Sequence, residues 1–251
     1  MTGKQLALVT GAATGIGRAC ALALAEKGYS VAAVWRSQRE AAESLLDELP
    51  GDGHALFQAD VGQADAVQKL VAAVLAHYGR VDALVNAAGR FSNQAVDSAD
   101  YGQWCQSWED SLRVNLLGPV NLAQQVAQSM IAAGRGRIVN ITSRGAFRGE
   151  PTAPAYGAAK SGLNSASQSL AVALAPHGIS VFAVAPGWTE TPQASPRIHG
   201  EREAEILADS PLGRVGSPDE IASLVAFLLS GNTEYLTGAI FDANGASYLR
   251  N

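Results

Sequence analysis

Short apolar runs rich in β-branched residues recur along the chain: LALVT at 6–10, SVAAVW at 30–35, ALVNA at 83–87, RIVNIT at 137–142 and SVFAVA at 180–185, with AIFDA at 239–243 as a late member. Each is short enough for a strand and apolar on successive residues, the pattern of a strand covered on both faces. The segments between them carry helical periodicity. In one, Val67, Leu70, Val71, Val74, Leu75 and Tyr78 fall at i, i+3, i+4, i+7, i+8 and i+11, which predicts one apolar stripe on a helix of about four turns. Strand–helix alternation of this kind predicts an α/β chain: a doubly wound parallel sheet with helices on both faces. No linker, repeat or low-complexity block divides residues 1–251, so one domain is expected.

Composition narrows the function classes. The 251 residues are 47% hydrophobic and only 16% charged, which fits a globular protein, and their Ala and Gly content suggests closely packed helices. The net charge of -5 comes from scattered acids and bases, with none of the basic stripe a phosphate backbone requires, so nucleic acid is not an expected partner. Cys20 and Cys105 are too few for a disulfide framework, and the four His residues lack ligand spacing, so no metal is expected. No apolar stretch has the length of a membrane span, and "MTGKQLALVTG" enters a strand directly. A cytoplasmic protein with no membrane partner is expected.

Immediately after the first strand comes TGAATGIGRA, placing Gly11, Gly15 and Gly17, with Thr14 and Ile16 between and beside them, ahead of a helix that runs to Lys27 and Gly28. Glycines there allow a tight turn and a close backbone approach, and the helix N-terminus can receive a pyrophosphate. Such a spacing also occurs in plain strand–helix turns; its position at the first βα turn of the series is what points to a dinucleotide. The end of the second strand reads VWRSQR. Trp35 stands where an acid would accept from a ribose diol, whereas Arg36 and Ser37 can donate to a 2′-phosphate, which favours NADP(H) over NAD(H). Thr14 adds no charge to that site, and an arginine in a loop, like nearby Arg39, can equally be solvated.

Further along, PAYGAAKSG sets Tyr156 four residues before Lys160, on one face of a helix. Together with TGAATGIG from Thr10, ADV at 59–61, NAAG at 86–89, VNLLG with Asn115, ITS ending at Ser143 and PGWTET at 186–191, this ordered set resembles the short-chain dehydrogenases/reductases over nearly the whole chain. The pattern is nearest to the 3-oxoacyl-[acyl-carrier-protein] reductase branch, although His177 stands where that branch often has an arginine for carrier docking.

The resemblance implies a Rossmann-type fold and a catalytic set of Asn115, Ser143, Tyr156 and Lys160. It also implies that Asp60 and Val61 hold the adenine, and that Asn86, Ala88 and Gly89 line the cofactor cleft. Thr191 and the backbone near Trp188 and Thr189 would fix the carboxamide, with Pro186 and Gly187 also among the cofactor-binding residues. The helices around 116–133 and 157–175, with the small residues Ala158, Ala159, Gly162 and Ala166, resemble those through which family members pair into homotetramers. The sequence departs from the family at Ala87 for a second asparagine, at Asn244 and Ala246 near the C-terminus, and in a longer stretch before Trp108 that puts the substrate in doubt.

The chemistry follows from the residue types. Hydride transfer to a carbonyl leaves negative charge on oxygen, which must receive a proton, and a phenol with a pKa of about 10 is a slow donor near neutrality. A neighbouring ammonium is therefore expected to lower the pKa of Tyr156, with Lys160 also holding the nicotinamide ribose. Ser143 would hydrogen-bond the same oxygen, and Asn115 would hold a water that links Lys160 to solvent. Residues 188–210 are expected to form a substrate lid, although EREAEILAD also suits an ordinary surface helix. Arg144 and Arg148 flank Ser143 and can draw an anionic substrate.

The expected activity is NADP(H)-dependent reduction of a ketone or 3-oxoacyl group to a secondary alcohol, with Tyr156 as proton donor. The rivals are an NAD-linked alcohol dehydrogenase, disfavoured by Arg36, and a non-catalytic dinucleotide-binding regulator, which would have no use for the catalytic quartet.

Overall fold

The computed structural model describes residues 4–97 and 99–250. Seven strands form one sheet in the order β3-β2-β1-β4-β5-β6-β7: β1 (Leu6–Thr10), β2 (Ser30–Trp35), β3 (Ala55–Gln58), β4 (Ala83–Asn86), β5 (Gly136–Ile141), β6 (Ile179–Pro186) and β7 (Ile240–Ala243). Every neighbouring pair is parallel. Thr10 is in register with Val34 on one side and Asn86 on the other, so the strand order reverses at β1. At that switch point the carboxyl ends of β1 and β4 diverge and open a crevice.

Alternation along β1 shows how the sheet is buried on both sides. Leu6 and Leu8 face one apolar layer; Ala7 and Val9 face the other. The first layer packs under α3 (Ala64–Tyr78), α5 (Gly118–Ala133) and the end of α6 (Pro154–Leu174), and the second under α1 (Gly15–Glu26), α2 (Arg39–Glu48) and α9 (Pro218–Leu228). The stripe on α3 behaves as its spacing predicts, with Val67, Leu70, Val71 and Val74 buried and Leu75 and Tyr78 at the margin. Cys20 lies in the second layer, where burial pushes its thiol up to about 12 and leaves it a small apolar side chain.

Two elements escape the pattern. Strand β3 lacks β-branched residues and is only half-buried at the sheet edge, so its sequence carries little apolar signal. Helix α4 (Tyr101–Leu112) does not stop before α5: residues Arg113–Leu117 continue as a π-helical turn. Two short helices, α7 (Ser195–Ile198) and α8 (Glu203–Ala208), occupy the expected lid segment. Ile198 and Ile206 anchor them to the body of the protein. Ala246 is held at φ 60°, where the family's glycine would be unstrained and an alanine costs about 1 kcal/mol. Among the described residues no helix is long and apolar enough to cross a membrane.

Candidate active site

The cleft begins at the glycine loop. Gly11 has φ 65°, and a Cβ there would stand 2.9 Å from the Cα of Ala88; a Cβ on Gly17 would run into the carbonyl oxygen of Gly11. The loop is thus wedged between the ends of β1 and β4. The Thr10 hydroxyl accepts from the backbone N–H groups of both Ala87 and Ala88 at 3.1 Å, which fixes the other wall.

The N-terminus of α1 then opens into the crevice with no side-chain cap from Thr14 and no acid in its first turn. Helix α9 shows the alternative: Ser217 and Glu220 close a capping box, and Arg214 grips Glu220, holding its carboxyl down at about 2. Uncapped N–H groups beside a gap suited to close backbone approach fit a pyrophosphate.

Two connected cavities follow. One, of about 400 Å³, is lined by Thr14, Trp35, Arg36, Ser37, Asp60, Val61, Ala88 and Gly89, among others. No carboxylate among the described residues pairs with the exposed Arg36. The other, of about 260 Å³, is lined by the glycine loop, Ala88, Gly89, Ser143, Tyr156, Lys160, Pro186, Gly187, Thr189 and Thr191. The residues present fit a nicotinamide dinucleotide laid across the switch point, with its adenosine in the first cavity and its nicotinamide in the second.

Asn86 does not line either cavity. Its side-chain amide, 1% exposed, donates to Asn140 Oδ1 at 2.8 Å and to the Pro119 carbonyl at 3.2 Å, so it ties β4 to β5 and α5 behind the cleft. That corrects the expectation of direct contact. The sequence signal marks a residue that shapes the cleft's back wall.

Asn115 sits in the π-helical turn and is fully buried. Its Oδ1 accepts from Arg90 N at 2.9 Å, while its Nδ2 donates to Arg90 O at 2.8 Å and Ser111 Oγ at 3.1 Å. A Cβ on Gly89 would lie 3.2 Å from Asn115 Oδ1 and 3.8 Å from Lys160 Nζ, so these three residues converge. The asparagine side chain is spent on holding the loop after β4.

Tyr156 is the third residue of α6, where the helix N-terminus favours negative charge. Its ring lies 5.1 Å from that of Phe91, and Lys160 Nζ is 5.8 Å from its centroid. Ser143 caps the short 3₁₀ turn 144–146, accepting from Gly145 N at 3.0 Å, and its hydroxyl lines the same cavity as Tyr156. Lys160, 3% exposed, donates to the Ile141 carbonyl at 2.8 Å, leaving two of its three N–H donors for the cleft.

The electrostatics correct one expectation. Burial pushes the Tyr156 phenol above its ordinary value, with Glu150 adding to the rise, against the Ser143 hydrogen bond and the Arg197 charge. Burial also lowers Lys160, to about 8. The lysine therefore gives up its proton before the phenol does, and burial outweighs any lowering of the phenol by the ammonium in the ligand-free cleft. The physical reason is desolvation of both groups, which spacing along a helix does not reveal.

Arg144 and Arg148 share one acid. Both lean towards Asp209, at 3.8 and 3.1 Å, and Arg144 is buried while Arg148 stays at the surface. The substrate side of the cleft holds four further residues absent from the candidates read in the sequence: Phe91, Glu150, Gln193 and Arg197. Only their convergence in space marks them, because they come from three separate loops.

An uncapped helix at a switch point, with a tyrosine, a lysine and a serine facing the same crevice, defines an oxidoreductase of the dinucleotide-binding class. The family model described as enoyl-(acyl carrier protein) reductase matches residues 11–245, and the chain belongs to the short-chain dehydrogenase/reductase family. It is 36% identical over 248 residues to the 3-oxoacyl-[acyl-carrier-protein] reductase FabG of Staphylococcus epidermidis, covering 98% of this chain and all of that one. A short-chain reductase protein, NovJ, of Streptomyces niveus is 35% identical, with 96% and 93% of the two chains covered. The crystal structure of gox2181 superposes with a TM-score of 0.89 at 34% identity, covering 97% of this chain and 95% of that chain.

Proposed function

We propose that the protein is a cytoplasmic, NADP(H)-dependent carbonyl reductase that converts a ketone or 3-oxoacyl group to a secondary alcohol. The observation that carries this reading is the meeting of Ser143, Tyr156 and Lys160 in the cavity that adjoins the uncapped end of α1. The similarity to the 3-oxoacyl-[acyl-carrier-protein] reductases of Staphylococcus supports the same reading.

A reduced nicotinamide bound there supplies the hydride. The chain supplies the rest. Tyr156, kept as a neutral phenol by burial, donates its proton to the carbonyl oxygen as charge grows on it. Ser143, which lines the same cavity, donates to the same oxygen. Lys160 directs its free N–H groups at the ribose and, while charged, stabilises the phenolate left behind.

Arg36 and Ser37 select the 2′-phosphate in this reading. Arg36→Asp should lower the NADPH-to-NADH ratio of kcat/KM by roughly 100-fold, since a charge-assisted pair is exchanged for a repulsion and a ribose acceptor is gained. An unchanged ratio would remove Arg36 from phosphate recognition.

Residues 188–210 act as the lid, and homotetramers form through α5 and α6. The exposed side chains of Leu117 and Val172 support that pairing. Ala159 is fully buried and Gly162 lies against Leu116, which fits internal packing of these small residues.

The test is absorbance at the reduced-nicotinamide band, with NADPH and NADH in parallel, against acyl thioesters, ketones, quinones and sugars. Steady consumption of NADPH with a carbonyl is expected. Consumption of neither nucleotide would leave a non-catalytic dinucleotide-binding protein.

A further inference from the structure

The substrate half of the cleft contains a cation that carbonyl reduction does not use. Arg197 belongs to α7, which Ile198 and Ala194 pin to the protein interior. Its guanidinium lies 3.7 Å over the Phe91 ring and 5.4 Å from the Trp188 ring. Phe91 in turn packs on Tyr156 at a tilt of 59°, so one aromatic ring lies between the cation and the proton donor.

The other arginines of this region have acids. Arg148 pairs with Asp209 at 3.1 Å, Arg202 takes Glu205 in a two-pronged contact at 2.7 and 3.0 Å, and Arg214 takes Glu220. Arg197 has only a 3.4 Å contact from Nη2 to the Gln193 carbonyl. Its Nη1 is shielded from solvent without a hydrogen-bond partner, and no carboxylate among the described residues lies within ion-pair distance.

Arg144 repeats the situation in the same cavity. It is 6% exposed, lines the same cavity and carries an unpartnered buried Nη1, with Asp209 only at 3.8 Å and already shared with Arg148. A buried donor without an acceptor is costly, and a guanidinium costs most of all, so both point to an anion that the cleft receives. The one acid lining this cavity, Glu150, rests against Gly145 and Gly157, and burial pushes its carboxyl towards the neutral form. It therefore offsets the two cations only in part.

We propose that the substrate is an oxo acid whose carboxylate is received by Arg197, with Arg144 as the second donor, while its carbonyl meets Ser143 and Tyr156. The assignment rests on the carbonyl-reductase reading and adds the charge of the substrate to it. The contact with Phe91 leaves Nη1 unpartnered and Nη2 only weakly engaged, donors for a charge-assisted contact that a carboxylate matches and an ester does not. A neutral thioester would leave both buried donors as they are.

The test uses the NADPH-loaded protein with three pairs of probes: 2-oxobutanoate, 3-oxobutanoate and 4-oxopentanoate, each beside its methyl ester. At least one acid should exceed its ester in kcat/KM by about tenfold or more. Arg197→Met should lower that acid-to-ester ratio by roughly 50-fold, chiefly through KM, and Arg197→Lys should recover part of it. NADPH binding, followed by nucleotide fluorescence, verifies that the variants are folded. If esters are reduced and no acid is preferred, or if Arg197→Met leaves the ratio where it was, Arg197 is not the receptor and the reductase reading stands. If NADPH binds but no carbonyl is consumed, the reductase reading fails and takes this assignment with it.

Discussion

Tyr156→Phe should lower kcat by about 10³-fold, in the range of a lost general acid, while the dissociation constant for NADPH changes less than about threefold. The substitution keeps the ring that packs on Phe91 and removes only the phenolic hydroxyl. Hydride donor, oxyanion contact and substrate orientation all remain, so the loss reports the proton alone. Single-turnover absorbance separates this from slow product release. A variant that still reduces carbonyls within tenfold of the parent would move the proton donor elsewhere and dismantle the catalytic reading.

Lys160→Met should abolish reduction and, in the same protein, raise stability. Burial takes the lysine from its ordinary 10.5 to about 8, so the unfolded chain holds that proton more tightly than the folded one. A depressed cation of this kind penalises folding in full below pH 8, and the penalty fades as pH rises from 8 to 10.5. Removing the group relieves the penalty but leaves the Ile141 carbonyl without its donor. The balance is a gain of about 2 kcal/mol at pH 7, or roughly 5 °C in Tm for a chain of this size. The gap between variant and parent should close as pH is raised through that window. A destabilised variant at pH 7, or a gap that ignores pH, would show that the lysine is not held against its own solvation. The ligand-free protein is the right sample, because bound nucleotide gives the ammonium partners.

How much of this was legible in the sequence depends on whether the deciding physics is local. β1, β2 and β6 are continuous apolar runs because both faces of the sheet are covered, so their residues announce them. β3 is a half-exposed edge and announces nothing. The glycine loop was readable because backbone clearance admits one residue type, and the Tyr156–Lys160 pair because helical spacing fixes which tips share a face. The order in which those two groups lose their protons was not readable, since desolvation is set by everything packed around them. Asn86 was placed correctly along the chain but on the wrong side of its strand end. Arg197 was hidden for a third reason: its significance lies in partners it lacks, and a sequence does not show what a side chain fails to touch.

The turn at Arg113–Leu117 carries a consequence for how such a site is assembled. A π-helical step accommodates one residue more than an α-helical turn, so the helices before and after it are rotated out of phase with each other. α4 and α5 can each keep the face they bury, while Asn115 swings inward to grip the loop at Arg90. A single extra residue thus mounts a functional group on an otherwise ordinary rod. Its excision would fuse the two helices into one smooth cylinder and turn that group away from the crevice, with nearly all of the hydrophobic interior left as it was.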